Sequence, residues 1–496
     1  MKSLTLITLF LLTINIKAQP VDIKIDTAYI TSHTANIKGN TINYDAYTGM
    51  LPVWKNETPI ATLFYTYYKR TNTKDLNNRP IVFSFNGGPG SASVWMHIAY
   101  TGPKVLNIDD EGYPLQPYGV KDNPHSILDV ADIVYVNPVN TAYSRMLPDA
   151  DGKMPDTSLF FGINADITYL AAWMNTFVTR YNRWPSPKYI IGESYGGTRV
   201  MGLAHELQNS QGMYLNGVIM VSPADYKVLS SDGPVSSALN LPYFTAAAWY
   251  HNKLPKNLQQ KDLLELLPDA EHFAIQELVP ALTKGGFISA EERSSIAENM
   301  SKFSGLTTEE ILLHNLDVPT SYFWKSLLRI DGQTIGRLDS RYLGLDKTEA
   351  GTSPDYNAEL TSWLHSFTPA INYYIRNNLN FKTDLKYNMF GDVHPWNNEN
   401  DSVRDNLRLA MAQNPYLKVL IQSGYYDGAT TYFNAKYTMW QIDPSGKMKD
   451  RFSFKGYRSG HMMYLRNEDL KTANDDLKDF IINSLPNGKP AKYERN

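Results

Sequence analysis

The chain has 496 residues, with 47 Lys and Arg against 50 Asp and Glu, for a formal net charge of −3. That length accommodates one large core with an insertion, or two domains, and so even a charge balance leaves no polybasic surface for nucleic acid. The absence of cysteine excludes a thiol nucleophile, a lipid-anchored cysteine and cysteine-ligated zinc; no His-Glu-x-x-His occurs either, since His205-Glu206 lacks its second histidine.

In chain order, Met1-Lys2-Ser3 supplies a basic start and residues 4–16 a mostly apolar stretch too short to span a bilayer comfortably. Ile16-Lys17-Ala18 fits a cleavage site, so residues 1–18 read as a signal peptide and Gln19 as the first mature residue. No later run reaches the ~18 apolar residues of a spanning helix. Export of a chain without disulfides suits the periplasm or exterior of a Gram-negative bacterium. Residues 21–25, 34–37 and 61–69 alternate as antiparallel strands, with turns expected at Asn40 and near Thr48-Gly49. Strands predicted over 81–85, 133–137, 189–191 and 218–221 then alternate with helices. The clearest helix is 166–181, where Ile167, Leu170, Ala171, Met174, Phe177, Val178 and Tyr181 share one face.

From about 225 to 380 the pattern turns helical. Ser289-Ala290-Glu291-Glu292 and Thr307-Thr308-Glu309-Glu310 read as capping boxes, and Leu264, Leu267 and Phe273 mark a further helix. An all-helical insertion between sheet strands reads as a cap (225–380) over a core built from 19–224 and 381–496. A helix over 403–413 returns the chain to that core. A strand over 417–422 ends in Ser423-Gly424-Tyr425-Tyr426-Asp427-Gly428, and one over 451–455 precedes Ser459-Gly460-His461.

Three stretches carry chemistry. Gly192-Glu193-Ser194-Tyr195-Gly196 lies between a short apolar strand and a helix. This is the G-x-S-x-G nucleophile elbow, whose tight turn presents the serine hydroxyl at a sheet tip and a helix N-terminus. Asn86-Gly87-Gly88-Pro89-Gly90 follows the strand 81–85; a glycine run lets backbone N–H groups face a substrate. An oxyanion hole would take one N–H from Tyr195, after the nucleophile, and one from Gly88. The order Ser194, Asp427, His461 is the triad order of α/β-hydrolases, and Asp427 just past a strand lies where open α/β sheets bind ligands. Asp427 beside Gly428 also fits plain turn chemistry, and His461 also fits an ordinary, partly buried histidine. Asp149-Ala150-Asp151-Gly152 is a fragment of a calcium loop without the remainder, and reads as a turn.

Taken together, Asn86–Gly90, Gly192–Gly197, Asp427 and Gly460-His461 resemble the serine carboxypeptidase family, and Asn137-Pro138-Val139-Asn140-Thr141-Ala142-Tyr143-Ser144 resembles one of its strand-end segments. The likeness runs from about Leu63 to Tyr226 and from about Phe381 to Leu485. Between them, Thr320-Ser321-Tyr322-Phe323 and Gly336-Arg337-Leu338-Asp339-Ser340-Arg341-Tyr342 resemble the bacterial branch. The resemblance implies an α/β-hydrolase fold with a mainly parallel sheet and an exopeptidase acting on peptides, without cofactor or metal. It also implies that Asn86, Gly87 and Glu193 bind the substrate's free carboxylate. One proton shared between that carboxylate and Glu193 would make a strong hydrogen bond, so binding would favour acidic pH. Two departures stand out. Tyr100 occupies the place where members often carry a second Glu, and Ser91 the place where they often carry Cys. An esterase or acyltransferase on the same scaffold, or a catalytically inactive binding protein, are the rival readings.

Overall fold

The computed structural model describes residues 23–73, 78–224, 233–398, 403–490 and 492–493. The expected signal peptide lies outside them, as do residues 225–232, where the expected cap begins. The strands β1 (Thr27–Ile37), β2 (Asn40–Lys55), β3 (Thr58–Arg70), β4 (Ile81–Phe85), β5 (Asp132–Val136), β6 (Lys188–Glu193), β7 (Gly217–Val221), β8 (Lys418–Gly424) and β9 (Phe452–Tyr457) form one sheet in the order β1-β2-β3-β5-β4-β6-β7-β8-β9. A short strand, Arg145–Met146, pairs on the side with β3. β1 to β3 pair antiparallel, β3 meets β5 antiparallel, and every pairing from β5 to β9 is parallel.

The parallel strands from β4 to β7 are buried along their whole length, as apolar runs covered on both faces must be. Their side chains alternate between two cores. Ile81, Phe83 and Phe85 enter one; Val82, Ile133 and Ile191 enter the other. Helices α1 (Ile163–Arg180), α2 (Tyr195–Ser210) and α3 (Val403–Gln413) cover the first face, and α4 (Asn467–Asn483) covers the second. At roughly 1.5–3 kcal/mol per fully buried large apolar side chain, these two cores supply the stability against which the buried charges of the site are set. The fold is an α/β-hydrolase fold.

The leading edge differs from expectation at its turns. The first comes at Lys38-Gly39, both at positive φ, and the second at Asn56-Glu57. Thr48-Gly49 lies inside β2 instead. Gly49 is there because β1 passes so close that a Cβ would stand 1.8 Å from the Thr27 carbonyl oxygen. A glycine required for close approach of a neighbouring strand resembles a turn glycine in sequence. Asp149 does form a turn, its Oδ1 accepting from Asp151 and Lys153 N–H groups.

Residues 233–380 supply helices including Leu241–Tyr250, Leu263–Phe273, Ala290–Ser304 and Ala358–Tyr373, but they also hold a two-stranded pair, Thr334–Ile335 with Leu343–Gly344. Thr307 and Glu310 make the full capping box; Ser289 caps with its hydroxyl alone. The segment contributes to three cores, one of which joins Leu239, Ala246 and Leu263 to Tyr426 and Phe433. Phe244, Ala297 and Phe323 share one of their own, whereas Trp363, Phe367 and Ile371 pack into the core beneath the sheet, with Trp95 and Phe367 at 4.6 Å.

Candidate active site

The carboxyl ends of β4, β6 and β8, with the loop after β9, converge. Ser194 stands between β6 and α2 with φ 60° and ψ −126°, a strained conformation that costs of order 1–3 kcal/mol unless its surroundings impose it. They do. Ser194 N–H donates to Val221 O at 2.9 Å, and its carbonyl accepts from Gly197 at 2.8 Å and Ala224 at 3.1 Å. Gly192 is obligatory, because a Cβ there would fall 2.0 Å from Gly196 O.

Asp427 and His461 are brought together. Asp427 is fully buried and His461 is 6% exposed. Asp427 Oδ2 accepts from His461 Nδ1 at 2.7 Å and from Thr430 Oγ1 at 2.6 Å, while Oδ1 accepts from the N–H groups of Ala429 at 2.8 Å and Thr430 at 3.1 Å. This network leaves Nε2 of His461 facing the cleft. The backbone of His461 is pinned as well: its N–H donates to Leu338 O at 2.6 Å, and its carbonyl accepts from Ser222 Oγ at 2.7 Å. Burial opposes protonation of the imidazole, but the charge and hydrogen bond of Asp427, with Glu193 adding to them, outweigh it and raise its pKa above the ordinary value.

Glu193 lies on the other side of the imidazole. It is 3% exposed, and its Oε1 stands 3.9 Å from His461 Nε2. Its Oε2 accepts from Asn86 Nδ2 at 3.1 Å and from the Tyr464 hydroxyl. Burial pushes its pKa up to about 7, against the opposing influence of His461, Tyr464 and Asn86. The Asn86 amide is held in orientation because its Oδ1 accepts from Met96 N–H at 3.1 Å. Asn86, Gly87, Gly88, Glu193, Ser194 and His461 all line one cavity of about 220 Å³ whose further walls include Trp95, Leu338, Trp363 and Phe390. The glycine loop rests on the elbow itself: a Cβ on Gly87 would come within 2.5 Å of Tyr195 N.

Tyr464, Arg199, Thr430 and Ser222 escape a reading of the sequence, whereas Tyr100 and Ser91 stand out in it. Tyr464 is the phenol that reaches Glu193. Tyr100, in the position of the missing second Glu, instead donates to Gln422 at 2.7 Å and stacks on Tyr464 with ring centroids 4.8 Å apart. Arg199, fully buried, pairs with Asp166 at 2.7 Å and donates to the carbonyls of Asn86 and Pro89, so it clamps the glycine loop to α1 and α2. Thr430 and Ser222 brace the acid and the histidine, and Ser222 O, 2.9 Å from Thr430 Oγ1, is an alternative acceptor for the one proton of that hydroxyl. Ser91, in the place of the family's frequent Cys, accepts from Trp95 Nε1 at 2.9 Å.

The chain is similar to known proteins in family and in fold. The family profile described as serine carboxypeptidase matches residues 36–455. Serine carboxypeptidase-like 36 of Arabidopsis thaliana is 27% identical over 208 residues, 39% of this chain and 40% of that protein. Carboxypeptidase Y of Schizosaccharomyces pombe is 30% identical over 169 residues, 34% of this chain and 15% of that protein. The chain thus spans less than half the length of these curated relatives. Among solved structures, a prohormone-processing carboxypeptidase from Saccharomyces cerevisiae superimposes with a TM-score of 0.52 at 13% identity, covering 89% of this chain and 92% of that one, which is a likeness of fold.

Proposed function

The chain belongs to the serine carboxypeptidase family, and on that premise we propose that it releases C-terminal residues from peptides through an acyl-enzyme on Ser194. The observation that carries this reading is Glu193, a buried carboxyl beside the nucleophile whose pKa of about 7 lets it hold a proton where ordinary carboxyls do not. A protonated Glu193 can donate to a substrate carboxylate, with Asn86 Nδ2 and Gly87 N–H as further donors; an ionised one would repel it.

In the proposed sequence Ser194 Oγ attacks the scissile carbonyl carbon and His461 Nε2 takes the hydroxyl proton. Negative charge on the carbonyl oxygen is met by the N–H groups of Gly88 and Tyr195. Collapse breaks the C–N bond, the proton passes from His461 to the leaving amine, and water then repeats the sequence to free the acid. Asp427 orients the imidazole. Residues 225–380, in this reading, form a cap that contacts substrate side chains.

The pH dependence has two limbs. Turnover needs His461 without its proton, so it rises with pH through the raised pKa of the imidazole. Binding of a free carboxylate needs Glu193 with its proton, so it weakens as pH rises through a value at or above 7, since the substrate's charge raises Glu193 further. Binding alone is favoured at acidic pH, and activity on peptide acids, which needs both limbs, should peak near neutral pH where they cross. Among the described residues no helix is long and apolar enough to cross a membrane. The basic and apolar start of the chain supports export, to the periplasm or beyond, and an intact mass beginning at Met1 from the cytoplasm of the native host would refute it.

The deciding experiment compares a peptide with its C-terminal amide across pH, alongside labelling of Ser194 by a fluorophosphonate. Cleavage of the acid with KM climbing above neutral pH, and weak, flat behaviour of the amide, is the expected result. Equal profiles would leave an esterase or acyltransferase, and absence of labelling an inactive fold.

A further inference from the structure

The buried arginines near the site are committed. Arg199 pairs with Asp166, and Arg341 pairs with Asp339 at 2.7 Å and donates to Ser459. Arg337 is different. It is exposed, it lines the same cavity as Glu193, Ser194 and His461, and its guanidinium makes no hydrogen bond or ion pair to any described residue. Its charge nevertheless acts on two neighbours: it opposes protonation of His461 and favours the ionised form of the Glu359 carboxyl.

The backbone around Arg337 is immobilised by the residues that carry the chemistry. Arg337 O accepts from Gly428 N–H at 3.0 Å, next to Asp427, and Leu338 O accepts from His461 N–H at 2.6 Å. Leu338 N–H donates to the buried Glu359 carboxylate at 2.9 Å, and Gly336 N–H to Tyr342 O at 2.8 Å. Gly336 permits this tie, since a Cβ there would fall 2.5 Å from Glu359 Oε2. One short segment is thus stitched to the loop of the acid and to the loop of the histidine, and it holds out a cation whose five donors suit a carboxylate. The rest of the wall near it, Leu338, Leu360, Trp363 and Phe390, is apolar. Such a wall lowers the local dielectric and strengthens an ion pair formed there.

We propose that Arg337 is a specificity-determining residue that pairs with the side-chain carboxylate of an Asp or Glu flanking the scissile bond, so that acidic peptides are preferred substrates. The proposal rests on the carboxypeptidase reading and adds a substrate class to it. In this reading the terminal carboxylate is anchored by Asn86, Gly87 and Glu193, so Arg337, whose guanidinium is hydrogen-bonded to no carboxylate among the described residues, is available for a second negative charge.

Matched peptide acids with Glu, Gln or Lys at the last position, and a second series with the same residues at the penultimate position, separate the two places a side-chain carboxylate could occupy. In the wild type, kcat/KM for Glu over Gln should exceed unity by roughly threefold to thirtyfold in one series. Arg337→Gln should bring that ratio to about one, and Arg337→Glu should invert it in favour of Lys. A Glu-to-Gln ratio that Arg337→Gln leaves unmoved overturns the proposal. An equal loss for Glu and Gln peptides also overturns it, since Arg337 would then act on the terminal carboxylate that both share. Failure of the underlying reading looks different: the wild type would cleave none of the peptide acids, or would cleave acids and amides alike. Fluorophosphonate labelling of Ser194 in each variant reports that the site is folded.

Discussion

Two buried carboxyl groups flank His461, and they are treated in opposite ways. Asp427 meets four donors spread over both oxygens, one of them the imidazole at 2.7 Å. Glu193 meets two donors, both on Oε2, and leaves Oε1 3.9 Å from the other ring nitrogen and beside the cavity. Burial is nearly the same for both, so burial alone does not assign their roles. What differs is how many donors arrive and on which oxygen. In the proposed mechanism the carboxyl met on both sides is the fixed orienting group, and the one met on a single side, with its pKa raised to about 7, keeps a proton to share with an incoming anion.

The largest expected effects fall on the Asp427 side. Asp427→Asn should lower kcat by roughly 10³–10⁴-fold while leaving KM for a peptide acid little changed, because the imidazole loses its orientation and its counter-charge. Ser194→Ala should lower kcat by at least ~10³-fold. A drop under tenfold in either variant would break the assignment of that side. Steady-state kinetics at fixed pH, with folding checked by thermal melting, measures both.

On the Glu193 side the expected signature is in KM and pH. Glu193→Gln donates without ionising, so KM for a peptide acid should become nearly flat across pH 6 to 9, a difference of about 1–3 kcal/mol in binding at the alkaline end. The same substitution has a stability consequence of definite sign. The folded chain keeps a proton on Glu193 up to about pH 7, and the unfolded chain only to about 4.5, so Glu193 withdraws stability as pH rises between those values. The Gln variant should therefore gain in Tm relative to wild type from pH 5 to pH 8. A wild type and variant whose KM and Tm curves run parallel would erase the contrast between the two carboxyl groups.

Smaller effects sharpen it. Tyr464→Phe keeps the ring that stacks on Tyr100 and removes one donor from Glu193. The lost bond, worth about 1 kcal/mol, should raise the pKa of Glu193 and move the alkaline limb of KM upward by roughly 0.7 pH unit. A limb that stays in place would make Tyr464 a packing residue. Thr430→Val removes one of the four donors to Asp427 and should cost about three- to tenfold in kcat with no shift of that limb; a shifted limb would mean that the two sides are not separable.

Much of this was legible in the residues. An elbow is a local object: Gly192, Ser194 and Gly196 are dictated by contacts between neighbours in the chain, so their spacing alone announces them. The glycine loop and the places of Asp427 and His461 at strand ends are legible for the same reason, each sitting next to a run of strand-forming residues. The turn expected at Thr48-Gly49 failed because the need for glycine there comes from β1, a partner about twenty residues away. Tyr464 escaped notice because its partner, Glu193, is 271 residues distant, and nothing in Met462-Met463-Tyr464 distinguishes a hydrogen-bonding phenol from a core aromatic. Tyr100 shows the converse: its position in the sequence pointed toward the carboxyl, but its ring stacks on Tyr464 and its hydroxyl turns to Gln422.

What the sequence determined by itself was therefore the scaffold and the candidates for the reacting groups, since hydrophobic periodicity and tight-turn sterics are written in adjacent residues. Only the tertiary structure decided the burial and partners that raise the pKa of Glu193, the clamp of Arg199 on the glycine loop and the placement of Arg337. Each of these depends on which donors and charges come within a few ångströms of one another when distant segments close over the carboxyl edge of the sheet, and electrostatic energy is set by those distances and by burial.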